Sequence, residues 1–200
     1  MMCYRDKNKV RFWVFTLLYT EITAADLLLT YLATPDLALE GNPLVLIHSV
    51  GWGTLIGVNL LTLAFYTLMA WYAFYRYKPR RSTEITSPKR YLSDLTYDNP
   101  DLGKAGMLRW PKHWSPQIAC LCYSVVAALP FARSIIVLEW IMLNTHYYAP
   151  RFFRFVAFFP LGRIDFFAAV FLAWILSFVW IYREFRHNKK QLFQELSASR

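Results

Sequence analysis

Apolar residues fall into four long stretches, residues 12–33, 44–75, 118–143 and 164–182, divided by segments in which charge, Pro and Ser collect. Each stretch approaches or exceeds the roughly 20 residues that a helix needs to cross a bilayer, so the pattern predicts four transmembrane helices. The first stretch does not read as a cleavable leader, because Glu21 and Asp26 interrupt its apolar core and no small-residue cleavage site precedes a polar start. The second is too long for one upright crossing and ends in Trp71-Tyr72-Ala73-Phe74-Tyr75, an aromatic belt of the kind found at a membrane surface. A further apolar run at residues 152–160 is too short to cross. Arg151, Arg154 and the bounding Pro150 and Pro160 oppose full insertion, so residues 150–162 are expected to form an interfacial or re-entrant segment.

The expected fold is therefore an all-α integral membrane protein, with four transmembrane helices, a basic cytoplasmic loop and one interfacial or re-entrant segment. It divides into an N-terminal arm with the first helix pair (1–75), the loop (76–117), a second helix pair (118–182) and a tail (183–200), all forming one membrane domain. Composition agrees: 56% of the residues are hydrophobic and 18% aromatic, above ordinary soluble usage. That apolar and aromatic content excludes a disordered chain and a soluble nucleic-acid binder, despite a net charge of +9. Cys3, Cys120 and Cys122 have neither the number nor the spacing of a disulfide scaffold or a zinc ribbon.

Charge sets the expected orientation. Of 22 Lys and Arg, 18 lie in the N-terminal arm, in the loop or in the tail, against three in the two opposite turns. The positive-inside rule then places both termini in the cytoplasm of an inner-membrane protein. The loop, closed by Trp110-Pro-Lys-His-Trp114, is expected to lie against lipid headgroups, not on a nucleic acid.

Ionisable groups deep in hydrocarbon cost free energy, so each needs a partner, a cavity or a role. Glu21, Asp26, His48, Arg133, Glu139 and Asp165 are the candidates, with Arg163 and His146 at the outer boundary. With the orientation above, nearly all belong to the outer half of the bilayer. Thr23, Asp26 and Thr30 are spaced to share one face of the first helix, and Glu139 and His146 one face of the third. One reading is charge neutralisation, in which Arg133 pairs with Asp26 or Asp165 and orients the helices. The acids and histidines outnumber the two nearby arginines, which favours a site.

Glu40-Gly-Asn-Pro43 has a structural role of its own, with Asn42 as N-cap and Pro43 as first residue of the second helix. Asp26, Thr30 and Glu40-Gly-Asn-Pro-Leu44 together resemble the pattern of a family of small multi-pass prokaryotic membrane proteins of unknown function. In that family an Asp lies on the first helix and Glu-x-Asn-Pro-Leu opens the second. The resemblance covers the first quarter to third of the chain and implies a four-helix membrane domain, but no activity.

Three functions compete. The first is a pocket for an anionic, lipid-like ligand, held by Arg133, Arg163, Glu40, Asn42 and Thr30. Asp26, Glu139 and Asp165 would serve as catalytic carboxylates of a metal-assisted hydrolase or transferase, with His48 and His146 as ligands of a divalent ion. The chain contains no His-Glu-x-x-His, phosphate-binding Gly-rich loop or Gly-x-Ser-x-Gly elbow. The second is a non-catalytic subunit or anchor, with a membrane-protein partner or a second copy packed on its aromatic faces. The third and least favoured is haem b held axially by His48 and His146.

The orientation has a direct test. In sealed cells an impermeant thiol reagent should label an engineered cysteine at Asp36 or Tyr148 and leave one at Ser87 or Ser197 unlabelled. Labelling at Ser87 would overturn the assignment.

Overall fold

The computed structural model describes residues 4–37, 51–83, 86–101, 110–145 and 164–198. Among these residues are five α-helices: α1 (Tyr4–Ala33), α2 (Trp52–Trp71, continued by one π turn at Tyr72–Arg76), α3 (Pro88–Tyr97), α4 (Ser115–Asn144) and α5 (Ile164–Ala198). No strand occurs among the described residues. Four segments, Asn8–Ala33, Trp52–Arg76, Ser115–Met142 and Ile164–Ser197, are long and apolar enough to cross a membrane. The protein is thus an all-α, multi-pass membrane protein. The expected short segment at 150–162 lies outside the described residues.

Two boundaries differ from expectation. The second span does not run unbroken from residue 44, because Gly51 has extended backbone angles (φ −86°, ψ 180°) and is the N-cap of a helix that begins at Trp52. Glycine is an accepted N-cap, and Gly51 and Gly53 together weaken any helix attempting to pass through them. The crossing that remains is 25 residues long, close to what a bilayer requires. Asn42 and Pro43, expected to open this helix, lie outside the described residues and eight or more positions before its start. The Trp52 indole N–H donates to the Pro35 carbonyl at 2.7 Å, fastening the start of α2 to the end of α1. At the other boundary, the fourth span and the tail form one helix of 35 residues. Residues 183–198 contain neither Gly nor Pro and are rich in Glu, Gln, Lys, Arg and Leu, so nothing in them stops the helix.

Helix α4 is central, packing against α1, α2 and α5. The core between the first three consists of Tyr19, Tyr66, Ala70, Phe74 and Val126. Pro130, inside α4, has no N–H to give to the Val126 carbonyl four residues earlier. Tyr66 fills that vacancy: its fully buried hydroxyl lies 2.9 Å from the Val126 oxygen and donates to it, with the Phe15 carbonyl of α1 3.2 Å away. One phenol therefore joins α2 to α4 at the point where α4 loses a bond, and faces α1 as well.

The segment between the second and third spans is a folded cap, not the surface loop expected from its composition. Ser87 caps α3, its hydroxyl accepting from the Arg90 N–H at 3.3 Å, and Pro88 takes the first helical position. Tyr91 and Leu95 bury against Phe185 of α5. Ser82 and Asn188 exchange two hydrogen bonds, the Ser82 N–H donating to Asn188 Oδ1 at 3.2 Å and Asn188 Nδ2 to the Ser82 carbonyl at 2.8 Å. The Thr96 carbonyl accepts from the Lys112 and His113 N–H groups at 3.1 and 3.0 Å. Asp98 ends α3 in the left-handed region and gathers Arg80, Lys112 (2.5 Å) and His113 (3.2 Å).

Lys112 first, then His113 and Arg80, hold the Asp98 carboxyl well below the usual carboxylate range. A folded value below the unfolded one stabilises the cap above the ordinary aspartate value of about 4 and loses that contribution as pH falls beneath it. Asp98→Asn should accordingly expose the 110–113 segment at neutral pH, read as several-fold faster tryptic cleavage after Lys112. The wild type should expose the same segment only on acidification below the ordinary aspartate value of about 4, read with an acid-active protease because trypsin does not work there. Equal cleavage of variant and wild type at pH 7 would contradict the clamp.

Candidate functional site

The polar centre lies towards the end of the bundle opposite the cap, built from Tyr19 and Asp26 of α1, Asn59 of α2 and Arg133 of α4. Arg133 projects into the space between the three helices. Its Nε and Nη2 donate to Asp26 Oδ2 at 3.0 and 2.8 Å, Nη2 donates also to Asn59 Oδ1, and Nη1 donates to the Tyr19 hydroxyl at 3.3 Å. The guanidinium carbon sits 5.8 Å from the Tyr19 ring centroid, and that ring stacks on Tyr66 at 4.0 Å. Trp140 is buried on α4, seven positions beyond Arg133. Every nitrogen of the guanidinium is engaged and its charge is paired, so the group is fixed in place.

The face expected on α1 points inward: Thr23, Asp26 and Thr30 are all buried. Thr30 donates its hydroxyl to the Asp26 carbonyl at 2.8 Å, a bond within its own helix. Thr23 Oγ1 is buried with no hydrogen-bond partner among the described residues. Asp165, in the first turn of α5, is buried and close enough to Asp26 for their charges to repel. Glu139 is half-buried on α4, and neither Glu139 nor Asp165 is without contacts. Asn144, near the end of α4, donates to the Leu29 carbonyl at 3.2 Å and binds α4 to α1 beyond the charged layer.

The structure thus brings Asp26 and Arg133 into direct contact, with Asp165 nearby and Thr30 behind Asp26. Glu40, Asn42, His48, His146 and Arg163 lie outside the described residues, where the axial pair expected for haem and the second ligand arginine also fall. Among the described residues no group of three or more His, Cys, Asp or Glu could hold a metal ion. Cys120 and Cys122 are free thiols. A cavity of about 10 Å³ occurs at the cap, lined by Arg80, Arg81, Tyr91, Glu184, His187 and Asn188 among others, large enough for a single water.

Two partners of Arg133, Asn59 and Tyr19, and Trp140, buried on α4, were not singled out from sequence. Asn59 carried a signal, being the one carboxamide in an otherwise apolar α2. Tyr19 and Trp140 carried none, since each is one aromatic among 37 and only tertiary contact selects it. Comparison with protein-family models, with curated proteins and with solved structures found no match to this chain.

A double-mutant cycle measures the pair. Asp26→Leu or Arg133→Leu alone should destabilise the folded protein in detergent by about 3–5 kcal/mol, because each strands a buried charge. The double variant should recover most of that loss. Additive losses, read from thermal unfolding, would show that the two groups do not act on each other.

Proposed function

We propose that this protein is a non-catalytic subunit or anchor of a larger inner-membrane assembly, with both termini and the cap in the cytoplasm. One observation carries the reading: the guanidinium of Arg133 spends four of its five N–H donors on Asp26, Asn59 and Tyr19 and its charge on Asp26, so little of it is left for an anionic headgroup. A group so committed fixes the register and rotation of helices, which apolar faces alone specify weakly in lipid. Function then resides on the outside of the bundle. Helix α5 presents Phe167, Phe171, Trp174, Phe178 and Tyr182 at successive turns of one exposed face, and such aromatic faces pack on neighbouring helices as well as on lipid.

A pocket for an anionic, lipid-like ligand is the second reading, and a separate observation favours it. The Thr23 hydroxyl, on the same face of α1 as Asp26, is buried with no hydrogen-bond partner among the described residues, and a bound headgroup would give it one. The resemblance of Asp26, Thr30 and Glu40-Gly-Asn-Pro-Leu44 to a family of small multi-pass prokaryotic membrane proteins fits either reading.

One preparation distinguishes them. Under the subunit reading, native mass spectrometry and elemental analysis of the purified chain give no stoichiometric lipid or metal. In native gels of gently solubilised membranes it migrates well above its own 23.6 kDa, and it does so still as Asp26→Leu/Arg133→Leu. One lipid or metal ion per chain, lost in that double variant, would establish the pocket instead.

A further inference from the structure

Glu21 stands at the midpoint of the first span, Asn8–Ala33, and its residue is exposed on the outside of the bundle. It has no polar partner among the described residues, and the neutralising arginine of the bundle belongs to Asp26. Its surroundings on α1 are periodic: Val14, Leu17, Glu21, Ala24, Leu28 and Tyr31 recur at alternating steps of three and four, and all six are exposed. That is the spacing of a coiled-coil seam, with an acid in the middle layer and an alanine beside it allowing close approach. A carboxylate left against acyl chains at this depth is costly, and the fold spends nothing within the described residues to relieve it.

We infer that this face of α1 is an intramembrane docking surface for a transmembrane helix of another protein that carries a Lys or Arg at mid-depth, the ammonium or guanidinium donating to the Glu21 carboxylate. The inference rests on the subunit reading and names the chemistry of its partner. Charge complementarity selects that partner over a second copy. Two copies share one orientation, so pairing along this seam would set Glu21 against Glu21, acid against acid, in the central layer. A basic residue in that layer satisfies the acid and also fixes the register of the two helices, as single polar residues at seam positions do.

The test uses the full chain in lipid vesicles with a synthetic single-span poly-Leu peptide bearing either one central Lys or none, association being read by energy transfer between fluorophores. The Lys peptide should bind the wild type about ten-fold more tightly than the Leu peptide. Glu21→Leu, a change on an exposed lipid-facing position that leaves the core intact, should abolish the difference, and Glu21→Asp should keep part of it. Equal binding of the two peptides, or a Lys preference that survives Glu21→Leu, would overturn the inference. So would self-association of the chain that disappears in Glu21→Leu, since a second copy would then be the occupant. If stoichiometric lipid is found on the purified chain while the Lys preference holds, the subunit reading fails and the docking face stands. A native complex with no Lys preference gives the reverse.

Discussion

A guanidinium inside a bilayer must have both its charge and its donors met by protein, and in this chain that requirement organises three of the four spans. Arg133 reaches Asp26 and Tyr19 on α1 and Asn59 on α2 from its place on α4. Lipid tails are as apolar as leucine, so helices in a membrane gain little by sliding from one apolar contact to another, and they are also free to slide. The arginine removes that freedom. Its partners are within reach in one register only, and a shift of one turn along any of the three helices would move a carboxylate or amide about 5.4 Å away and strand the charge.

Below this layer the same three helices are joined through a backbone vacancy. Proline inside α4 frees the Val126 carbonyl, which in hydrocarbon cannot turn to water. The Tyr66 hydroxyl supplies the proton, and the ring that carries it stacks on Tyr19, whose own hydroxyl accepts from Arg133. Pro130, Tyr66, Tyr19 and Arg133 therefore form one connected set, in which the polar group of each residue answers a need created by the next. Helix α5 stands outside this set within the membrane. Its fastening comes instead from packing along α4, from Cys120 Sγ lying 3.7 Å from the Ser177 carbonyl, and from the cap, where Asn188 and Phe185 hold Ser82 and α3.

The spans were legible because hydropathy over 20 residues is a property of the chain itself and needs no tertiary information. The inward face of Thr23, Asp26 and Thr30 was legible for a similar reason, as helical spacing alone puts them together. The pairing of Arg133 with Asp26 followed from depth and cost. What escaped was decided by contacts between distant segments. The cap is polar and rich in Pro, so it reads as loop, yet Tyr91 and Leu95 find Phe185 more than eighty positions away. The unbroken α5 escaped because a change from apolar to charged residues marks the edge of a membrane, not the end of a helix.

Two acids on α1 show how far internal neutralisation reaches. Glu21 and Asp26 are five positions apart, a rotation of about 140° around the helix axis, so they cannot share a face. Asp26 turns inward and meets Arg133. Glu21 turns outward and meets none of the groups described. The cost of an ionised group in hydrocarbon is the same kind of cost for both, and it rises towards the middle of the bilayer, where Glu21 is. The fold thus provides for the shallower acid and leaves the deeper one exposed. Within the described residues the polar network closes without Glu21, so compensation for its charge has to come from beyond that network, and a partner across the bare seam of α1 is the source that also explains the seam.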